Sequence, residues 1–201
     1  MTRNRRRRLR RIGAAALAAA FAAVLGGGLA LAQTDARPQG TVEFYLGDYR
    51  IAEPIFKTVY QPGGSIQGLG LTAHLFANFD FTFEIKGMVK SGSLSYSQEK
   101  TDFVLIPISL GIRAAFPVAF VIPFAGAGLD YFVYYEKNPI GTTLNYAKGW
   151  HLQGGAYLRI GKSFPILPFV KVKWSLVKAS LGTRTIDLGG IEYGAGLAIA
   201  F

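Results

Sequence analysis

The chain has 201 residues, 22 of them Lys or Arg and 12 Asp or Glu, a formal charge of +10. Seven of those cations fall in the first eleven positions, leaving 15 basic against 12 acidic side chains, so the high pI describes the leader and nucleic-acid binding loses its main support. A half-apolar composition excludes disorder, the lack of cysteine excludes disulfide scaffolds and thiolate sites, and two histidines exclude a histidine-rich metal centre.

Residues 1–32 read as a cleaved signal peptide. A cationic stretch from Met1 to Arg11 precedes an apolar one from Ile12 to Leu25, then a break at Gly26-Gly27-Gly28. Ala30-Leu31-Ala32 is a small-x-small cleavage site that places the mature N-terminus at Gln33. The Ala/Gly composition and the glycine break speak against a permanent helical anchor. Consecutive arginines hint at twin-arginine export, although the flanking pattern is incomplete. Residues 33–39 read as a flexible tail, and 40–201 as one domain.

Beyond Gly40 apolar residues alternate with small or polar ones in eight runs, near 41–49, 64–77, 80–95, 101–114, 119–136, 145–161, 165–179 and 187–201. Short interruptions at 77–79, 115–118 and 161–165 alternate with longer ones at 50–63, 96–100, 137–144 and 180–186. Short turns on one side and longer loops on the other are the pattern of a transmembrane barrel.

The two rows of each run differ. The last sets Ile191, Tyr193, Ala195, Leu197, Ile199 and Phe201 against Glu192, Gly194, Gly196, Ala198 and Ala200. The third sets Phe81, Phe83, Ile85 and Val89 against Glu84, Lys86 and Lys90, and the seventh sets Val170, Val172, Trp174 and Leu176 against Lys171, Lys173 and Ser175. Three features assign the apolar row to lipid rather than to a soluble core. The runs exceed the ~9–11 residues needed to cross a bilayer at a tilt. Gly-x-Gly pairs such as Gly126/Gly128 share the polar row, making room for long ionic side chains in a narrow lumen. Aromatics gather at the run ends, Phe79, Phe116 and Phe120 by short turns and Tyr96, Tyr131 and Trp150 toward long loops. An edge in hydrocarbon would leave backbone groups unpaired, so the sheet must close. The expected fold is all-β, a closed eight-stranded antiparallel transmembrane β-barrel.

At Tyr193-Gly-Ala-Gly-Leu-Ala-Ile-Ala-Phe201 the sequence resembles the small outer-membrane β-barrels of diderm bacteria, of the OmpX, OmpW and OmpA-barrel type. Gly196, Ile199 and Phe201 match the terminal signal that such chains present to the barrel assembly machinery, while Gly194 stands where a polar residue is usual. Ile106-Pro-Ile-Ser-Leu-Gly-Ile-Arg113 and Pro123-Phe-Ala-Gly-Ala-Gly-Leu-Asp-Tyr131 are also similar to the class, and the resemblance covers roughly 41–201. It implies a cell outer-membrane location, with outer-membrane lipid, lipopolysaccharide and the assembly machinery as partners. It is unspecific for activity, since the class includes scaffolds, conduits, adhesins and lipid A enzymes.

The inner row collects Glu43, Glu84, Lys86, Lys90, Arg113, Asp130, Arg159, Lys171, Lys173 and Glu192. An ion pathway is one reading. An eight-strand lumen is just wide enough to be filled by its own side chains, however, and buried charges must pair. We therefore read a structural plug of ion pairs. His74 and His151, the only obvious general bases, are expected at different depths, and no His-x-Ser appears, so neither a catalytic residue nor a cofactor or metal site is expected. Glu53-Pro54 suits a helix start, with Ile55, Phe56, Val59 and Tyr60 along one face. These four are candidates for a mouth cap that admits a small apolar ligand, or for an interfacial helix on the rim. The preferred function is a structural or surface-interaction barrel. The alternative is an OmpW-like, porin-like conduit for small hydrophobic molecules.

Overall fold

Period-two alternation of apolar with small or polar residues makes long strands, and it does so almost throughout the described chain. A computed structural model describes residues 38–60, 63–93, 99–139, 141–161, 164–181 and 184–201. The signal-peptide reading, most of the tail, and Tyr96 lie outside the described residues, as does the side chain of Ile55. Among the described residues nine strands form, β1 Gly40–Ile51, β2 Ser65–Phe76, β3 Phe79–Ser93, β4 Lys100–Ala115, β5 Val121–Asn138, β6 Gly141–Leu158, β7 Ile166–Leu181, β8 Arg184–Asp187 and β9 Gly190–Ala200. One helix, α1 Pro54–Tyr60, follows β1.

Eight of these pair antiparallel with a neighbour on each side, in the order β1 to β7 and then β9, which returns to β1. No strand of this ring has an unpaired flank over its central span, as a sheet in hydrocarbon requires. One rung can be followed round it, Thr41–Thr72–Thr82–Gly111–Gly128–His151–Ser175–Gly190–Ile51. It re-enters β1 ten residues from its start. Ten residues of ~3.4 Å against eight spacings of ~4.8 Å give a strand tilt of about 40°. Pro38–Ala200 form one compact unit.

The outward row exposes Leu110, Leu129, Val170 and Val172, while Glu84, Arg113, Lys171 and Lys173 on the inward row are buried. On β7 the outward positions are free of charge from Ile166 to Leu176. At this tilt those ten steps span ~26 Å, close to the ~25 Å apolar band of an outer-membrane barrel.

Two of the expected loops are corrected. Residues 137–138 and 141–144 are a hairpin extension, because β5 and β6 stay paired out to Asn138↔Gly141. Residues 180–186 contain β8, which folds back on the end of β7 through Lys178↔Asp187. Both segments are polar and project beyond the apolar band, so they lack the alternation by which a lipid-facing strand is recognised. The turn at 77–79 is tighter than expected. Ala77 and Asn78 alone join β2 to β3, and Ala77 adopts φ 50°, a left-handed conformation that a Cβ disfavours.

Candidate functional site

The interior is built in three layers. Near the end with the tight turns, Phe124, Tyr157 and Phe169 form an aromatic floor, Phe124 lying 5.0 Å and Phe169 5.4 Å from Tyr157 between ring centroids. Arg113 stacks over both Phe124 and Tyr157, 4.9 Å from each ring. A guanidinium needs both a face to lie on and anions to bind, and this position supplies both.

The middle layer is ionic. Lys171 Nζ lies 2.5 Å from Glu84 and 3.7 Å from Glu43. Lys86 bridges Glu84 at 2.7 Å and Glu192 at 2.5 Å. Lys173 lies 2.9 Å from Asp130 and 3.9 Å from Glu84. Arg113 binds Glu43 at 2.9 Å and Asp80 at 3.4 Å, and Tyr157 donates to Glu43. Lys86 and Lys171 also lie over the Tyr45 ring, at 4.6 and 4.9 Å. Glu43, Glu84 and Asp130 share one rung through Gly70 and Ser109, Asp80 stands opposite Arg113 and Lys173 opposite Glu192, so the strand register itself brings the charges together.

Of the ten inner-row residues singled out in the sequence, eight meet in this layer. Lys90 lies nearer the loops, where its ammonium donates to the Gly63 carbonyl. Arg159 falls one residue beyond the end of β6 and makes no ion pair with a described residue. Two members were missed. Asp80 belongs to the same row as Glu84, four residues earlier, and His151 joins by lying 2.9 Å from Asp130. The buried layer thus holds four cations (Lys86, Arg113, Lys171, Lys173) and five carboxylates (Glu43, Asp80, Glu84, Asp130, Glu192). The two histidines sit on two of those carboxylates, His74 lying 3.2 Å from Asp80. Ser109 donates to Asp130 at 2.6 Å, so a carboxylate stands between the serine and His151. This is no serine–histidine nucleophile.

The third layer, at the end of the long loops, is apolar. Tyr49, Ile66, Met88, Phe103, Leu105 and Phe132 turn inward and are buried. Helix α1 completes it. Phe56 packs 5.0 Å from Phe103 and 4.7 Å from Tyr60, and Val59 packs against the same cluster. The Tyr60 hydroxyl donates to Glu136 at 2.8 Å and lies 2.8 Å from Thr101 Oγ1. Burial, with the Glu136 carboxylate adding to it, pushes this phenol above its ordinary range, so it stays a donor. Gly92 lets the helix approach. A Cβ there would stand 2.2 Å from the Val59 carbonyl. Gly196 and Ile199 lie on β9, Gly196 paired with both Tyr45 and Phe169 and Ile199 with Val42 and Ile166. Phe201 is the residue after Ala200, the last of that strand.

No protein-family model matches the sequence, and no curated protein matches it. Solved structures do. The chain is similar to Neisserial surface protein A, at 13% identity over 81% of this chain and 97% of that one, with a TM-score of 0.62. It is similar to the outer membrane protein OprG from Pseudomonas aeruginosa, at 12% identity over 84% and 99%, with a TM-score of 0.65. It is also similar to Ail, the attachment invasion locus protein of Yersinia pestis, in complex with the heparin analogue sucrose octasulfate. There the identity is 10% over 82% and 100%, with a TM-score of 0.53. At such identities the likeness is one of fold, and the fold is that of the small outer-membrane barrels.

Proposed function

We propose that this chain is a cell outer-membrane barrel with a structural or surface-interaction role, its lumen filled and its loop end presented outward. The observation that carries the reading is the ionic layer. Lys86, Lys171, Lys173 and Arg113 are all buried, and each has a carboxylate within 2.9 Å, so the bore at that level is occupied by side chains rather than by water. Aromatic and apolar layers on either side add to the obstruction. The tight turns, the start of β1 and the end of β9 then face the periplasm. Gly196, Ile199 and Phe201 serve insertion by the assembly machinery, and outer-membrane lipid and lipopolysaccharide surround the apolar band. Two neighbours, a surface protein and an attachment invasion protein, bear names that fit a surface role. No reaction is assigned to the chain.

The test is single-channel conductance of the refolded protein, with uptake of an apolar dye into the same vesicles. Baseline conductance without dye uptake is the expected result. A steady ion-selective current overturns the plugged reading.

One observation favours a conduit for small hydrophobic molecules instead, namely the apolar layer beneath α1. Phe56, Val59 and Tyr60 then act as a mouth cap over an apolar path, with Ile55 on the same helix, and a small apolar ligand is the partner. Dye uptake without conductance is the result that selects this reading.

A further inference from the structure

The outer face carries two lysines that form no ion pair with a described residue. Lys148 on β6 and Lys178 on β7 are exposed on the outward row and stand directly opposite each other in the β6–β7 ladder. Like charges in that position repel. Their other cross-strand neighbours are Tyr131 and Asp187. Asp187 accepts a hydrogen bond from the Gly189 N–H at 2.9 Å, and neither lysine has an ion pair among the described residues. Elsewhere on this rim some outward charges are engaged. Arg50 lies 3.2 Å from Asp48, and Ser91 donates to Asp102 at 2.7 Å.

The lysine pair is also the last rung of its ladder. Toward the loops β6 continues in a hairpin with β5, and β7 in another with β8. The two hairpins part above the lysines. Backbone groups left unpaired in such a fork are costly in hydrocarbon, so the fork marks the level at which headgroups begin. Aromatic girdle residues agree. Trp150 and Trp174 meet edge to face at 5.6 Å on the turn side of the lysines, and Tyr131 stacks on Tyr146 at 5.4 Å beside Lys148.

We propose that Lys148 and Lys178 bind the phosphate of an anionic lipid headgroup, seated in the fork with its acyl chains along Trp150 and Trp174. Two ammonium groups across one rung complement a phosphate, and the indoles below them complement the chains. A soluble anion offers only the first half of that match. The inference rests on the outward row facing lipid.

The chain has only two tryptophans, and both lie at this site, so their fluorescence reports on it alone. The protein is refolded into vesicles of phosphatidylcholine containing either brominated phosphatidylcholine or brominated phosphatidylglycerol. Quenching is expected to show a preference for the anionic lipid on the order of fivefold at low salt, shrinking as salt rises. The preference falls to about unity in Lys148→Gln/Lys178→Gln and is unchanged in Lys57→Gln, a charge removal on the exposed side of α1. Equal quenching by the two lipids in the unaltered protein overturns the proposal, and so does a preference that survives the double substitution. Absence of quenching by either lipid overturns the lipid-facing reading on which it stands.

Discussion

Glu84 is the hub of the ionic layer, and Glu84→Ala removes the carboxylate 2.5 Å from Lys171 and 2.7 Å from Lys86. The two lysines do not suffer equally. Lys86 keeps Glu192 at 2.5 Å, whereas Lys171 keeps only Glu43, at 3.7 Å, and Glu43 is already held by Arg113 at 2.9 Å. Lys171 is therefore the group left short. The ring faces of Tyr45 and Phe169 beside it are present in both proteins and offset nothing. Stranding one partner of a buried pair costs about 3–5 kcal/mol. Here the loss falls near the lower end, about 3 kcal/mol, because the layer holds one carboxylate more than it holds cations. Lys171→Met should cost more, since it leaves three cations facing five carboxylates. Combining the two substitutions restores the original balance, so the double variant should be more stable than Lys171→Met alone, with a coupling of about 2 kcal/mol or more. Reversible urea unfolding in lipid vesicles, followed by tryptophan fluorescence, gives all three values, and conductance is recorded on each variant. A Glu84→Ala barrel within about 1 kcal/mol of the parent, showing additive energetics and a new anion-selective current, would refute the reasoning. It would mean that water already solvates these charges.

Leu110 projects from the middle of β4 on the outward row and is exposed, so Leu110→Arg should destabilise the barrel by ~2–4 kcal/mol when folding into bilayers is measured. An unchanged folding equilibrium would invert the assignment of rows. Ala77→Gly relieves the left-handed residue of the two-residue β2–β3 turn and should raise stability by up to ~1 kcal/mol, read as a shift in the urea midpoint. Deleting Phe201 should lower the amount inserted in cells while leaving refolding in vitro largely intact, and normal outer-membrane levels of the truncated chain would count against its role in assembly.

The rows were legible in the sequence because lipid on one side and a narrow lumen on the other enforce period two along the whole apolar band. Val170, Val172 and Trp174 are exposed, and Lys171, Lys173 and Ser175 between them are buried, as the alternation of β7 implies. Where the barrel leaves the band the constraint lapses. The β5–β6 extension and β8 are strands whose ladder runs only to their hairpin partners, and nothing in Asn138-Pro-Ile-Gly141 advertises pairing on either side. The apolar layer of the lumen was hidden for a different reason. Phe103-Val-Leu-Ile106 and Phe132-Val-Tyr-Tyr135 are apolar on both faces, a pattern that marks strands buried on both sides. In a run otherwise sorted into lipid and polar rows, that local loss of alternation is the available sign that Phe103, Leu105 and Phe132 face a dry interior. Asp80 is the first residue of the third expected run and shares the row of Glu84, yet it is absent from the inner-row set because the alternation there is read only from Phe81 onward. The ion pairs themselves depend on register across rungs, which a single sequence does not specify.

The apolar layer beneath α1 and the ionic layer below it are energetically dependent on one another. Ion pairs in a bore are strong only where water is excluded, since the effective dielectric sets both the attraction and the penalty for a missing partner. Phe56, Tyr60 and Phe103 provide that exclusion on the loop side, and the Phe124, Tyr157 and Phe169 floor provides it on the turn side. Phe56→Ala removes a buried ring from contact with Phe103 and Tyr60 and should loosen α1, because a seven-residue helix has little stability of its own. The direct cost, about 3 kcal/mol for a buried phenylalanine, is felt first as local opening of residues 52–60, visible as faster amide exchange there while the ring of eight strands persists. With the lid open, water reaches Lys171, and the Glu84→Ala penalty should shrink. The two substitutions, on α1 and β3, are then coupled by 1 kcal/mol or so in the direction of mutual relief. Strict additivity of Phe56→Ala and Glu84→Ala in urea unfolding would show that the aromatic lid does not keep the charges dry, and the layers would have to be regarded as independent.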